Sequence, residues 1–273
     1  MRKLTNYPEL DKVFYELAQA YKEVLRDNIV GLYIQGSLAV GDFDMTSDVD
    51  FEVIINRELT DAEVKKVLGV HTQFRNRDSR WVQHLEYSFF PLPKFRQHSS
   101  TFINGKLDTS EERKLWYFNN GARTIERNDH DNTLVVRWEV REKGIPVLGP
   151  DPKTLIDPIS QDDLRREIKE FLVGWTPERL QNHKSWENRF HQVFFVLNWC
   201  RALQDLVEGR ITSKKEGMEW AKKNLDHKWH DLIDYSWNER KDENISIHQP
   251  ANQERWLETL EFVKYILEEV SEY

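Results

Sequence analysis

The sequence GLYIQGSLAVGDFDMTSDVDFEVII, residues 31–55, contains two short apolar runs joined by small and acidic residues. The first run stops at Gly36 and Ser37, and the second begins beside Asp48 and Asp50. This pattern predicts a strand, a turn and a second strand. Because successive side chains alternate along a strand, both aspartates should project from the same face and share one site.

Two further acids are candidates for that site. Glu52 follows on the same face of the second predicted strand, and Glu86 lies on the polar face of a third predicted strand, residues 81–90. Asp48, Asp50 and a third carboxylate would form an oxygen-rich site of the kind that Mg²⁺ prefers. An alternative interpretation is that the aspartates only cap a turn.

Gly36 and Ser37 follow the first predicted strand, where backbone N–H groups and a hydroxyl can contact phosphate oxygens, since glycine permits close approach. A turn of this kind beside metal-binding carboxylates is typical of nucleotidyl transfer. The metal would bridge the carboxylates and a triphosphate, and a base would have to activate the acceptor.

The composition indicates a folded protein that does not span a membrane. Hydrophobic residues make up 39% and charged residues 32%, and no apolar run reaches the roughly 20 residues of a spanning helix. No secretion signal is recognisable at the start, so we expect a cytoplasmic protein. The single cysteine, Cys200, excludes an internal disulfide and a multi-cysteine metal site, and we expect it to be buried.

The net charge of −8 argues against nucleic acid as a partner, because nucleic-acid binding depends on Lys and Arg that contact phosphates. A small cationic acceptor suits this charge better, and we expect a monomer. The ten tryptophans also offer ring faces for a cationic or ring-shaped ligand. For Trp175 and Trp186, the alternative is a place in the hydrophobic core.

The chain changes character near Pro150, Pro152 and Pro158, from mixed helical and strand patterns to helical patterns alone. We therefore predict an α+β fold. It consists of an N-terminal nucleotidyltransferase domain with a mixed sheet, residues 1–157, and a C-terminal all-helical bundle, residues 158–273.

Apolar residues spaced three and four apart predict the helices, with Ser160 and Thr212 or Ser213 as caps of two of them. Residues 133–142 could be strand or helix, and residues 145–148 should be a short strand. The predicted helices cover about residues 8–26, 59–68, 161–172, 190–207, 214–225, 228–239 and 253–269.

The sequences GS at 36–37 and DVD at 48–50 resemble the signature of the DNA polymerase β-type nucleotidyltransferase superfamily. Further along, IPVLGP at 145–150, EGRITSK at 208–214 and WA at 220–221 resemble the bacterial aminoglycoside adenylyltransferases that modify streptomycin and spectinomycin. The resemblance covers nearly the whole chain.

The resemblance implies an ATP- and Mg²⁺-dependent enzyme that transfers AMP to a hydroxyl of an aminoglycoside and releases pyrophosphate. Asp48 and Asp50 match the metal ligands, and Gly36 and Ser37 match the phosphate-holding turn. Glu86 matches the proposed catalytic base, and we count it as a third metal ligand. Glu52 is the alternative base.

Arg201 and Lys214 resemble the pair that contacts the ATP phosphates from the helical domain of the family. The alternative for both is a solvated charge on a helix surface. The nucleotide would then be held by both predicted domains.

The segment 176–188 departs from the family, because it is longer and lacks an aspartate where the family contacts streptomycin. Glu178 and Glu187 are possible stand-ins. Trp116 does not match the family's tryptophan. The sequence therefore leaves three alternatives for the acceptor: spectinomycin alone, another aminoglycoside, or a compound outside the antibiotics.

Two other functions are alternatives. The chain could attach AMP to a protein partner, although its helical part is already fused to the first domain. It could also be a non-catalytic nucleotide sensor, although a sensor need not retain Asp48, Asp50 and Glu86.

Overall fold

The computed structural model describes residues 2–44, 46–98, 101–103 and 106–273. These form two compact units. The first unit comprises Met1–Phe43, Ser47–Thr101 and Asp108–Ile159, and the second comprises Asp44–Thr46, Phe102–Leu107 and Ser160–Tyr273. The assignment of residues 1–157 and 158–273 to functional domains stays a prediction.

Among the described residues, each of the seven predicted helices is present in the predicted order, and short single-turn helices are added to them. The segment 133–142, left open between strand and helix, is helical. The helices are α1 (Pro8–Leu25), α2 (Gly36–Val40), α3 (Asp61–Arg75), α4 (Leu92–Arg96), α5 (Leu134–Lys143), α6 (Gln161–Gln181), α7 (Arg189–Glu208), α8 (Lys214–Asn224), α9 (His230–Glu239) and α10 (Gln253–Val270).

The strands form a mixed six-stranded sheet and a separate two-stranded sheet. They are β1 (Ile29–Ile34), β2 (Val49–Ile55), β3 (Leu85–Pro91), β4 (Phe102–Ile103), β5 (Lys106–Leu107), β6 (Leu115–Phe118), β7 (Glu126–Asn128) and β8 (Ile145–Leu148). The larger sheet has the order β7-β6-β3-β2-β1-β8. Only β2 and β3 pair in parallel within it, and α3 lies in the crossover that such a pair requires.

Helix α3 continues past its predicted end at residue 68 because its apolar face continues. Val67, Val70 and Phe74 are all buried. At its start, the Thr60 side chain accepts a hydrogen bond from the Glu63 N–H, and the Glu63 carboxylate accepts one from the Thr60 N–H. This capping box confirms the predicted helix start.

The two faces of β2 contact different clusters. Val49, Phe51 and Val53 pack in the main core of the first unit, which includes α1 and α3, whereas Ile54 belongs to a second cluster on the other face. The predicted alternation is therefore confirmed. The acids of β2 lie on the face opposite to the main core.

The predicted turn at Gly36 and Ser37 is wrong in detail, because the chain forms the short helix α2 there. Leu38 packs against the main core, and Gly41 ends the helix in a left-handed conformation with its N–H bonded to the Ser37 carbonyl. An apolar contact and a glycine cap are sufficient to turn a loop of small residues into one helical turn.

The second unit is helical from Gln161 onward, which confirms the fold class. The Ser160 and Ser213 side chains cap α6 and α8, and Gly209 ends α7 with φ 66°. Cys200 is buried, as predicted. Strands β4 and β5 also group with this unit, since Phe102 contacts α6 at Gly174. This hairpin is an addition to the predicted all-helical bundle.

Candidate active site

Strand pairing brings two of the predicted site residues together. In the parallel register of β2 and β3, Asp50 lies directly beside Glu86, and Glu52 lies beside Ser88. Paired residues project from the same face of a sheet, so the carboxylates of Asp50 and Glu86 are neighbours. The register thus fulfils the sequence expectation of two acids from adjacent strands.

Gly36 lies against the carboxylate of Asp50. A Cβ atom added to Gly36 would be 2.2 Å from Oδ2 of Asp50, and the φ of Gly36 is +63°. The preceding Gln35 N–H donates to the Asp50 carbonyl at 3.0 Å. Only glycine suits this position, because there is no room for a Cβ atom and because other residues disfavour a positive φ. The structure therefore places Gly36, the first residue of α2, beside Asp50.

Glu86 receives two contacts on a single carboxylate oxygen. The Tyr117 hydroxyl donates a hydrogen bond to Oε1 of Glu86, and Nε2 of His130 lies 3.4 Å from the same atom. Burial raises the pKa of Glu86, while His130 and the Tyr117 hydrogen bond oppose that rise. A carboxylate with a raised pKa is suited to accept a proton.

Asp48 and Asp50 differ in their surroundings. The Asn120 side chain donates a hydrogen bond to Oδ1 of Asp48. Burial raises the pKa of Asp50 well above its ordinary value, and the negative charges of Glu86 and Asp48 raise it further. The electrostatic repulsion in this cluster favours the binding of a proton or a cation.

Glu52 lies deeper on the same face. Its side chain is fully buried, and Oε1 accepts a hydrogen bond from Nε2 of Gln35 at 2.9 Å. Burial raises the pKa of Glu52 well above its usual range, Asp131 raises it further, and Arg137 opposes the rise. This carboxylate is held within a buried polar network.

The donor set of Asp48 and Asp50 fits Mg²⁺ that is also bound by phosphates. Among the residues that the structure describes, no group of three or more His, Cys, Asp or Glu side chains is arranged to hold a metal ion by itself. Mg²⁺ commonly takes only one or two carboxylates and completes its shell with water and substrate phosphates. Burial is the main cause of the raised pKa of Asp50, and such a cation would relieve the repulsion from Glu86 and Asp48 that adds to it.

Arg201 and Lys214 lie in the second unit. A Cβ added to Gly217 of α8 would be 2.6 Å from Cα of Arg201 on α7, so the two helices pack closely at this glycine. Lys214 is the first residue of α8, one turn before Gly217. The structure therefore places Arg201 beside the first turn of the helix that Lys214 begins. Their contact with phosphate stays a prediction.

The segment 176–188 crosses the end of α6 and a single 3₁₀ turn, His183–Trp186. Glu178 forms an ion pair with Arg179 at 3.3 Å, and Glu187 accepts a hydrogen bond from Gln253. A role of either glutamate in acceptor binding stays a prediction.

Trp175 and Trp186 are half-buried and pack edge to face at 5.8 Å. The guanidinium of Arg179 lies 4.3 Å from the ring centre of Trp175 and 4.9 Å from that of Trp186. Both indoles therefore pack within the helical unit, with the protein's own cation against them.

Comparison with known proteins finds aminoglycoside adenylyltransferases among the relatives of this chain. Residues 154–269 match the model of the aminoglycoside adenylyltransferase C-terminal domain. The spectinomycin 9-adenylyltransferase of Staphylococcus aureus is 29% identical over 209 residues, which are 73% of each chain. The resemblance to the aminoglycoside adenylyltransferases is confirmed. These relatives also confirm the prediction of a nucleotidyltransferase.

Two more distant matches cover almost the whole chain. The spectinomycin 9-adenylyltransferase of Campylobacter jejuni is 20% identical over 275 residues, covering 97% of this chain and 98% of the relative. The crystal structure of spectinomycin adenyltransferase AAD(9) from Enterococcus faecialis with ATP and spectinomycin matches with a TM-score of 0.65 at 17% identity, covering 96% of this chain and all of that one. This structural match shows that the chain shares the fold of that protein.

Sequence reasoning missed the residues that contact the acids from outside β2 and β3. Tyr117 and His130 contact Glu86, Asn120 contacts Asp48, and Asp131 accepts a hydrogen bond from Ser88 at 2.5 Å. All four lie in residues 117–131, where the sequence predicts no site residue. The apolar run LWYF at 115–118 was the one signal of a strand in this region.

Proposed function

We propose that this protein transfers AMP from ATP to a hydroxyl of an aminoglycoside, with spectinomycin as the first candidate acceptor, and releases pyrophosphate. The observation that carries the proposal is the register of β2 and β3, in which Asp50 and Glu86 are direct neighbours and Gly36 closes against Asp50. The relatives' names, which specify spectinomycin 9-adenylyltransferases, support the acceptor.

Glu86 is the proposed base. Its carboxylate would take the proton of the acceptor hydroxyl as the hydroxyl oxygen forms a bond to the α-phosphorus of ATP. The bond from that phosphorus to the oxygen bridging to the β-phosphate breaks, and pyrophosphate leaves with the bonding electrons. Glu52 is less suited to this role, because its side chain is fully buried.

Asp48 and Asp50 would hold Mg²⁺, which when bound supplies positive charge to the triphosphate and its leaving group. That Glu86 is a third ligand stays a prediction. Gly36 and Ser37 would contact phosphate oxygens, since the glycine leaves the backbone uncovered beside Asp50. In the second unit, Arg201 and Lys214 are the proposed phosphate-binding cations.

The proposed partners, location and oligomeric state start from the sequence. The net charge of −8 suits a cationic acceptor and opposes nucleic-acid binding. Among the described residues, no helix combines the length and apolar character that a membrane span requires. We propose a cytoplasmic monomer.

The proposal is tested by incubating the purified protein with ATP, Mg²⁺ and a panel of aminoglycosides that includes spectinomycin and streptomycin. Pyrophosphate release and product mass should show that AMP is added to spectinomycin at least. If no drug gains AMP, the proposal is wrong. If a co-incubated protein gains it instead, the enzyme modifies proteins. If ATP binds without turnover of any acceptor, a sensor is favoured.

A further inference from the structure

Strand pairing places Tyr117 within reach of Glu86. Tyr117 on β6 lies directly opposite Ser88 on β3. Glu86 is two residues before Ser88 and therefore projects from the same face as a diagonal neighbour of Tyr117, within reach of a long side chain. Tyr117 is only 3% exposed, and its hydroxyl donates to Oε1 of Glu86. A rigid part of the sheet, rather than a loop, holds this pair.

The hydroxyl of Tyr117 has a single hydrogen and two acceptors nearby. Oδ1 of Asn119 is 3.5 Å away, at the limit of a hydrogen bond, whereas Oε1 of Glu86 is much closer. The hydroxyl therefore donates its one hydrogen to Glu86 rather than to Asn119.

The two oxygens of the Glu86 carboxylate differ in their hydrogen-bond contacts. Tyr117 and His130 both lie against Oε1, and none of the described residues donates a hydrogen bond to Oε2. The imidazole of His130 is also 62% exposed, so water competes for its contact with Glu86. Tyr117 is thus the buried contact that fixes the orientation of the carboxylate.

We propose that Tyr117 is a positioning residue that holds Oε1 of Glu86 and leaves Oε2 as the oxygen that accepts the proton of the acceptor hydroxyl. This inference rests on the proposed role of Glu86 as the base. A glutamate has several side-chain torsions, and a displaced catalytic group loses much of its rate advantage. Anchoring one oxygen removes this freedom without occupying the other.

The test is Tyr117→Phe, which removes the hydroxyl and retains the ring that packs 5.6 Å from His130. We expect kcat to fall about tenfold, as for the loss of one hydrogen bond to a charged group, with an unchanged KM for ATP. A crystal structure of the variant should show the Glu86 carboxylate in a different position from the wild type.

The matched control is Tyr33→Phe. The Tyr33 hydroxyl donates to the Pro150 carbonyl at 2.9 Å and contacts no carboxylate of the site. This variant loses a hydrogen bond of similar burial and should keep the wild-type kcat. Thermal unfolding of both variants verifies that each is folded.

Either a wild-type kcat for Tyr117→Phe or an unmoved Glu86 carboxylate in its crystal structure overturns the positioning role. If wild-type protein transfers AMP to no acceptor, the proposed function is wrong by that result alone. The crystal structure then still decides whether Tyr117 positions Glu86, because it does not depend on turnover.

Discussion

The polar face of the larger sheet has two ends with the same kinds of residues and different surroundings. At one end Asp48, Asp50 and Glu86 lie beside the glycine at the start of α2, with Tyr117, His130 and Asn120 as neighbours. At the other end Glu52 is fully buried among Gln35, Ser88, Asp131 and Arg137. The first end has the residues of the candidate active site, whereas the second is a buried polar network that supports the fold.

This difference shows that residue type and strand face do not by themselves identify a catalytic carboxylate. Glu52 and Glu86 both have a raised pKa, and burial is the main cause for both. They differ in access, because the Glu86 side chain is 15% exposed, whereas Glu52 has no exposed surface. Access to substrate therefore separates the two roles.

The largest expected effect is that of Glu86→Gln. The amide keeps the size of the side chain but cannot accept the hydroxyl proton, so kcat should fall by roughly 100-fold to 10,000-fold. Calorimetric titration with ATP should give nearly the wild-type affinity. The control Glu23→Gln makes the same change on an exposed position of α1 and should leave kcat unaltered. A Glu86→Gln protein with normal turnover would assign the base to Glu52 or another group.

A smaller effect is expected for Gly36→Ala. The added Cβ would collide with Oδ2 of Asp50, so the start of α2 or the carboxylate must shift, and AMP transfer should fall about tenfold. Gly41→Ala is the matched control, because Gly41 also has a positive φ but has no atom within 4 Å of an added Cβ. Both variants carry about 1 kcal/mol of backbone strain. Equal losses of activity in the two variants would exclude a specific role for the contact with Asp50.

The smallest effect on turnover is expected for Glu52→Gln, which should instead change the pH dependence of stability. Because the folded-state pKa of Glu52 is raised, its protonated form stabilises the fold at low pH. This stabilisation is lost as the pH rises from the ordinary glutamate pKa of about 4.3 through the raised pKa of the folded state. The glutamine cannot ionise, so its unfolding free energy should decline less with rising pH. Urea unfolding over a pH series measures this slope. A slope equal to that of the wild type would contradict a raised pKa.

The sequence was sufficient to predict the elements that carry the acids. Alternation in residues 49–55 and 85–89 predicted the faces of β2 and β3, and the structure confirms them. The apolar periodicity and the caps at Ser160 and Ser213 predicted the long helices. These are local signals, and their physical causes act within a few residues.

The register between strands could not be predicted in the same way. That Asp50 pairs with Glu86, and Tyr117 with Ser88, depends on packing between segments far apart in the chain. Tyr117 itself lies in a run of four aromatic and aliphatic residues, where its hydroxyl gives no sequence signal of a polar contact. The short helix α2 was missed because it depends on the packing of Leu38 against the core, which lies outside the local sequence pattern.

Gly217 sets a minimum distance between two helices of the second unit. Because Cα of Arg201 occupies the space where a side chain would start, every other residue at position 217 would push α7 and α8 apart. The separation between the Arg201 backbone and the start of α8 is thus fixed by the absence of one carbon atom. The relative position of Arg201 on α7 and Lys214 on α8 therefore depends on a residue at position 217 that has no side chain.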